Sequence, residues 1–184
     1  GSGELACSVY KGSTLIGETS VFLDIRDVKE LYERWTLGDG NGGTPSTTPT
    51  LVSDGLPAGV SATEFDDSPS SNQKYILFVH GWNMSPFDKD AFAETAFKRL
   101  YWQGYTNRFG SLRWPTEYGF SDDIFSFSNP LTDPDNYDRS EFTAWQAGEG
   151  MRQHLLNLDQ RYTTNGVYVL AHSMGNIVAG EALA

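Results

Sequence analysis

The stretch Val167-Tyr168-Val169-Leu170-Ala171-His172-Ser173-Met174-Gly175 decides the fold. Its first five residues are apolar and predict a β-strand, and residues 176–183 after it suit a helix. A strand that reverses into a helix over so few residues forces Ser173 into a strained conformation, so the neighbours two positions away must be small. Ala171 and Gly175 meet this demand. The pattern therefore indicates a nucleophile elbow, with Ser173 as the nucleophile.

A second motif, Val79-His80-Gly81-Trp82, supports the first. It follows an apolar run, so it is expected at the carboxyl edge of a parallel sheet, where ligands of such sheets bind. Glycine at position 81 lets the backbone approach a substrate closely. The N–H of Trp82 is expected to pair with the N–H of Met174 to form an oxyanion hole, helped by the positive end of the helix dipole at Ser173.

The order of the elements from residue 74 onward predicts an α/β fold with a parallel sheet. The apolar runs 74–79 and 167–171 lack polar alternation, which is typical of strands buried on both faces. Strands that alternate with helices are joined by crossovers and lie parallel. The elements between the two runs are a helix capped by Ser85 and ending at Gly104, a strand over 108–114, and a helix capped by Ser140.

The first 72 residues lie outside this pattern. Alternating apolar and polar residues over 5–25 predict a hairpin or two short strands, and 27–35 suits a short helix because its apolar residues recur at helical spacing. The glycine-rich segment 38–49 has no apolar period. We therefore divide the chain into a β-hairpin and short-helix extension (1–37), a linker or mobile loop (38–72) and a partial α/β domain (73–184).

Composition argues against several classes of function. The formal net charge of -11, from 24 acidic and 13 basic side chains, repels nucleic acid and anionic lipid headgroups. No stretch reaches the roughly 20 apolar residues of a membrane span. The single cysteine, Cys7, excludes an internal disulfide. The acidic balance and the polar linker favour an exported bacterial protein only slightly, so the compartment stays open, as does the oligomeric state.

Neither a metal nor another cofactor is predicted. Four acidic residues, Asp133, Asp135, Asp138 and Glu141, suggest a calcium loop. The glycine and the spacing of an EF-hand loop are missing, however. These carboxylates are therefore expected to be solvated at the start of a helix.

The motifs together resemble the α/β-hydrolase superfamily and, within it, a bacterial family of largely uncharacterised function. The resemblance covers roughly residues 74–184 and implies an esterase- or lipase-like serine hydrolase. It implies Ser173 as the nucleophile and oxyanion donors at the Trp82 and Met174 backbones, and it gives no substrate. The paired motifs lead us to expect cleavage of a small-molecule ester or acyl substrate through an acyl-enzyme on Ser173. The resemblance rests on Phe78-Val79-His80-Gly81-Trp82-Asn83-Met84-Ser85, Arg113-Trp114-Pro115-Thr116 and Ala171-His172-Ser173-Met174-Gly175-Asn176.

The sequence contains no evident general base for Ser173. The triad order of the superfamily is Ser, then Asp or Glu, then His, and only residues 174–184 follow the serine. The acid and base are therefore expected beyond residue 184, and this chain by itself is expected to be nearly inactive. Two alternatives stay open: a non-catalytic binding or structural module, and an acyltransferase.

None of the three histidines is predicted to replace the missing base. His172 precedes the nucleophile, so its side chain is expected to point away from Ser173 and either to fix the turn or to pack beneath the neighbouring loop. His80 is expected to hold the loop at the strand end through hydrogen bonds, as the resemblance implies. His154 is expected on the exposed surface of its helix.

Overall fold

The computed structural model describes residues 2–56, 74–119, 134–162 and 166–184, and a five-stranded, mostly parallel sheet forms the core of these residues. The elements in chain order are β1 (Ser2–Lys11), β2 (Thr14–Asp24), a 3-10 helix (Val28–Glu30), β3 (Glu33–Thr36), β4 (Thr50–Ser53), β5 (Tyr75–Val79), α1 (Pro86–Trp102), β6 (Arg108–Arg113), α2 (Pro134–Arg161), β7 (Val167–Ala171) and α3 (Gly175–Leu183).

The sheet has the spatial order β4-β3-β6-β5-β7. Strands β3, β6, β5 and β7 run parallel, and β4 pairs antiparallel with β3 at one edge. Strands β1 and β2 form a separate antiparallel hairpin. The predicted α/β class, the parallel sheet and the N-terminal hairpin are thereby confirmed. None of the described helices is both long and apolar enough to cross a bilayer.

Helices cover both faces of the interior strand β5. Leu77 and Val79 point to the side of α2 and α3, where they pack in one cluster with Met151 and Val178. Phe78 points to the other side and packs in a second cluster against α1. This two-sided burial explains why the sequence of β5 is apolar without alternation.

Strand β7 departs from that expectation. Tyr168 and Leu170 are 48% and 44% exposed, although the strand is as apolar as β5. The reason is position, because β7 is the outermost strand of the described sheet and pairs only with β5 there. Its other face packs against the cluster under α2 and α3.

Helix α1 begins where the sequence predicted. The Ser85 side chain accepts a hydrogen bond from the Asp88 N–H, and the Asp88 carboxylate accepts one from the Ser85 N–H at 3.1 Å. This reciprocal capping box satisfies two of the N–H groups that a helix leaves free at its start. The box fixes the direction in which the chain leaves the loop after β5.

The predicted start of α2 at Ser140 was wrong, because the helix begins at Pro134. Proline is tolerated in the first helical turn, so what looked like a loop signal is a helix start. Ser140 is buried inside the helix, and its hydroxyl accepts a hydrogen bond from the Glu117 N–H at 3.1 Å. Asp135, Asp138 and Glu141 lie in the first turns of α2, and Asp133 lies outside the described residues.

The predicted helix over 27–35 was also wrong. Only the short 3-10 helix forms there, and the chain continues into β3. Tertiary contacts override the local period, because Glu33 is 2% exposed and binds several polar groups inside the fold. Those groups are the Tyr75 hydroxyl at 2.7 Å, Arg108 at 2.8 Å, the Trp35 indole at 3.0 Å and Arg161 at 3.2 Å.

The sheet therefore includes residues that the sequence had placed outside the domain. Strand β3 comes from the predicted extension (1–37), and β4 comes from the predicted linker (38–72). Strand β3 pairs directly with β6, so the sheet begins well before residue 73. The division of the chain into separate domains stays a prediction.

His154 does not lie on the helix surface as predicted, because it is 1% exposed. It follows Met151 by three residues and precedes Leu158 by four, so it shares their buried face. Its ring lies 4.5 Å from the ring of Trp35, centroid to centroid. Neither ring nitrogen has a hydrogen-bond partner among the described residues. Burial lowers the pKa of His154 to about 4.

We expect His154 to make the fold sensitive to acid. An unfolded histidine has a pKa near 6.5, so between about pH 6.5 and pH 4 the unfolded chain takes up a proton that the folded chain refuses. Stability is therefore full above pH 6.5 and falls as the pH drops toward 4. At pH 5 the loss from this residue is about 2 kcal/mol.

Substitution of His154 by leucine checks this expectation. Urea unfolding at pH 7.5 and pH 5 should show a fall in stability that is about 2 kcal/mol smaller in His154→Leu than in the natural protein. Any effect of His80 is common to both proteins and cancels. Equal falls in the two proteins would show that His154 is not buried in its neutral form.

Candidate active site

The chain turns from β7 into α3 at Ser173, whose φ is +51°. Only residues 172–174 separate the two elements. The His172 N–H donates to the Val79 carbonyl oxygen at 2.9 Å, and the Gly175 N–H donates to the His172 carbonyl oxygen at 2.9 Å. A non-glycine residue in the left-handed region costs about 1–3 kcal/mol and persists only when its surroundings hold it there. Ser173 is thus a strained residue at a sheet edge.

Glycines at two positions allow the turn to press against the loop that follows β5. A Cβ added at Gly175 would lie 2.5 Å from the His80 carbonyl oxygen. A Cβ added at Gly81 would lie 2.9 Å from both the Ser173 Cβ and the His172 Nδ1. The structure therefore brings Gly81, His172, Ser173 and Gly175 together, and each glycine is needed for that contact.

The proposed oxyanion donors lie on the two sides of this contact. Trp82 directly follows Gly81, and Met174 directly follows Ser173 and precedes α3. Among the described residues no hydrogen bond is formed by the backbone N–H of Trp82 or of Met174. Ser173 itself is exposed.

His80 is a buried structural partner of Trp114. Its ring is 1% exposed and stacks on the Trp114 ring at 5.3 Å with an angle of 3° between the planes. The Nε2 atom accepts the Trp114 backbone N–H at 3.1 Å, so the proton is on Nδ1, which donates to the Gly81 carbonyl oxygen at 2.7 Å. Burial, followed by the charge of Lys89, holds the pKa of His80 well below its usual value.

His172 is exposed and packs beside the turn. Its Nδ1 lies close to Gly81, and its ring lies 5.5 Å from that of Phe92 on α1, centroid to centroid. His154 lies on α2 against Trp35. None of the three histidines forms a hydrogen bond with Ser173.

Sequence reasoning assigned no role to Asn83, although it has a φ of +55°. Asparagine tolerates the left-handed region better than other non-glycine residues. Its Oδ1 accepts the Gly119 N–H at 3.3 Å, which joins the loop after β5 to the loop after β6. An asparagine directly after the Val79–Trp82 motif was a signal in the sequence for a left-handed backbone conformation at position 83.

Lys89 was also missed. It lies on α1 with 1% exposure, and its Nζ donates to the Trp114 carbonyl oxygen at 3.0 Å. Burial lowers its pKa to about 8, while nearby Asp39 opposes that shift. It precedes buried Ala93 by four residues, so the helical spacing indicated its inward direction.

The indole of Trp82 is held by α2. Its Nε1–H donates to the Asn136 Oδ1 at 3.4 Å, and its ring meets the Tyr137 ring edge to face at 5.1 Å. These contacts place the first turns of α2 beside the candidate site. They depend on Pro134 starting the helix six residues earlier than predicted.

Comparison with known proteins gives one result for the chain. A family model described as an alpha/beta hydrolase of unknown function (DUF900) matches residues 61–184, which is more than half of the chain. No curated protein and no solved structure matches it. The matched range includes both the Val79–Trp82 segment and the turn at Ser173.

Proposed function

Because the chain belongs to this family of α/β-hydrolases, we propose that it is a serine hydrolase that cleaves carboxylic esters through an acyl-enzyme on Ser173. One observation carries the proposal. Ser173 is a strained, exposed serine, and a Cβ on Gly81 would lie only 2.9 Å from the Ser173 Cβ. The N–H groups of Trp82 and Met174, which follow Gly81 and Ser173, lack partners among the described residues.

In the proposed reaction the Ser173 Oγ attacks the ester carbonyl carbon while a general base takes its proton. The carbonyl oxygen becomes an oxyanion, which accepts hydrogen bonds from the Trp82 and Met174 N–H groups. Each such donor is worth on the order of a hundredfold in rate. The C–O bond then breaks, the alcohol leaves with the proton, and the acyl group remains on Ser173. Water, deprotonated by the same base, releases the acid and restores the serine.

The test is ester hydrolysis by the protein at its natural length. We expect it to hydrolyse a short-chain aryl ester with release of the aryl alcohol and the free acid in equal amounts. A protein that binds the ester without cleaving it would support the non-catalytic module instead. Transfer of the acyl group to an added alcohol in preference to water would support an acyltransferase.

A further inference from the structure

A chain of buried hydrogen bonds runs from helix α1 to the loop after β5. Lys89 Nζ donates to the Trp114 carbonyl oxygen, and the Trp114 backbone N–H donates to His80 Nε2. His80 Nδ1 then donates to the Gly81 carbonyl oxygen at 2.7 Å. Three separate segments of the chain are linked in this way by side chains that are almost fully buried.

The last bond of the chain acts on a particular peptide unit. The Gly81 carbonyl oxygen and the Trp82 N–H belong to the same amide group. A hydrogen bond to the carbonyl oxygen polarises the amide, strengthens its N–H as a donor and fixes the plane in which the N–H points. Any group that holds His80 in place therefore also sets the direction of the Trp82 N–H.

Trp114 determines which proton His80 carries. Because Nε2 accepts the Trp114 N–H, the neutral ring must keep its proton on Nδ1, facing Gly81. The Trp114 indole adds a second link, since its Nε1–H donates to the His80 carbonyl oxygen at 2.9 Å. Displacement of Trp114 would thus release both the ring and the backbone of His80.

Lys89 is placed to prevent that displacement. Its ammonium is the donor for a buried carbonyl that precedes proline, and it lies among three charged groups that face it, Asp39, Asp90 and Arg113. A surface lysine keeps its ammonium at the solvent, as Lys98 does on the same helix, where its side chain is 48% exposed and pairs with Glu94 at 3.5 Å. Burying an ammonium is costly unless a specific contact compensates it.

We propose that Lys89 is a positioning residue of the oxyanion hole, which through Trp114 and His80 orients the Gly81–Trp82 amide. This inference rests on the proposed function of Ser173. Lys89 contacts no reacting atom in this scheme. Its effect reaches the substrate oxygen through the Trp82 N–H.

The first test compares Lys89→Met with Lys98→Met in the protein at its natural length. Methionine keeps the length and packing of the side chain but removes the charge and the donor. We expect Lys89→Met to lower kcat for an aryl ester about tenfold with KM unchanged, because one oxyanion donor loses its alignment. Lys98→Met should match the natural protein. Equal kcat values for the two variants would overturn the inference, even if Lys89→Met unfolds at a different temperature.

A second pair of variants tests the middle of the chain. Asparagine at position 80 carries its amide N–H where His80 has Nδ1, whereas the amide of glutamine reaches the position of Nε2. Asparagine keeps the donor to the Gly81 carbonyl oxygen but loses the link to Trp114, so we expect His80→Asn to lose about tenfold in kcat, as Lys89→Met does, and His80→Gln to lose about a hundredfold. The opposite order would contradict the role given to the Gly81 carbonyl.

An NMR measurement without substrate tests the positioning role of Lys89 independently of the proposed hydrolase activity. The amide NMR signal of Trp82 should shift in Lys89→Met and in His80→Gln and stay near its natural position in Lys98→Met. Absence of ester hydrolysis in the natural protein would refute the proposed function while leaving these shifts as a test of the positioning. An unmoved Trp82 signal in Lys89→Met would refute the positioning alone.

Discussion

Replacement of Ser173 by alanine is expected to reduce ester hydrolysis by about a millionfold, to a residual rate about a thousandfold above that in water. The Oγ is the atom that forms the acyl bond in the proposed mechanism, and alanine removes it. The residual rate comes from binding and from the backbone donors, which alanine leaves in place. Initial rates with an aryl ester at saturating concentration measure the effect.

Ser20 supplies the control, because it is an exposed serine on the hairpin strand β2. Ser20→Ala should hydrolyse the ester at the natural rate. A Ser173→Ala variant that keeps more than about a hundredth of the natural rate would show that the serine is not the nucleophile.

Replacement of Ser173 by glycine separates the effect of backbone strain on stability from the loss of the nucleophile. Ser173→Gly lacks the Oγ and should be as inactive as Ser173→Ala. Glycine adopts a φ of +51° without the cost that a Cβ imposes. We therefore expect Ser173→Gly to unfold at a higher urea concentration than Ser173→Ala, with a free energy of unfolding about 1 kcal/mol larger.

Replacement of Gly175 by alanine is expected to destabilise the fold by about 3 kcal/mol. The new Cβ would lie 2.5 Å from the His80 carbonyl oxygen and 2.8 Å from the Val79 carbonyl oxygen. Both are backbone atoms at the end of β5 or directly after it, so they cannot move aside as a flexible side chain would. The start of α3 must shift, which separates Met174 from the loop after β5.

Gly180 is the matched control on the same helix. It is exposed, and an added Cβ would meet nothing within 4 Å. Alanine has the higher helix propensity, so Gly180→Ala should raise stability by up to about 1 kcal/mol. Urea unfolding of the two variants at pH 7.5 gives both values. A Gly175→Ala protein as stable as the natural one would show that the turn is not pressed against β5.

The parts of the fold that could be predicted are those with local causes. The capping box at Ser85 and the strained turn at Ser173 each depend on residues only a few positions away in the sequence. The apolar runs of β5 and β7 also read directly as strands. These elements place the candidate serine and the Gly81 loop at one edge of a parallel sheet.

The parts that could not be predicted depend on contacts distant in sequence. Glu33 turns a helix-like segment into a strand because its carboxylate meets Tyr75, Arg108 and Arg161, which lie 42 to 128 residues away. Lys89 reaches Trp114, which is 25 residues away. Residues close in sequence do not indicate such distant partners. Local propensity therefore predicted a helix where Glu33 lies in a strand, and it indicated no role for Lys89.

His154 and Pro134 are errors of a different kind. His154 lies at helical spacing from Met151 and Leu158 and so falls on the buried face of α2, but its residue type suggested a surface position. Pro134 lies before the predicted helix start at Ser140, although proline is common in the first turn of a helix. In both cases the sequence contained the signal, and the residue type outweighed it.

Covalent labelling tests the central claim most directly. A fluorophosphonate reacts with serines whose Oγ is activated beside an oxyanion hole, and mass spectrometry of a digest locates the modified residue. The protein at its natural length should carry one phosphonate on the peptide that contains Ser173, and Ser173→Ala should carry none. A natural protein whose Ser173 peptide stays unmodified would contradict the account.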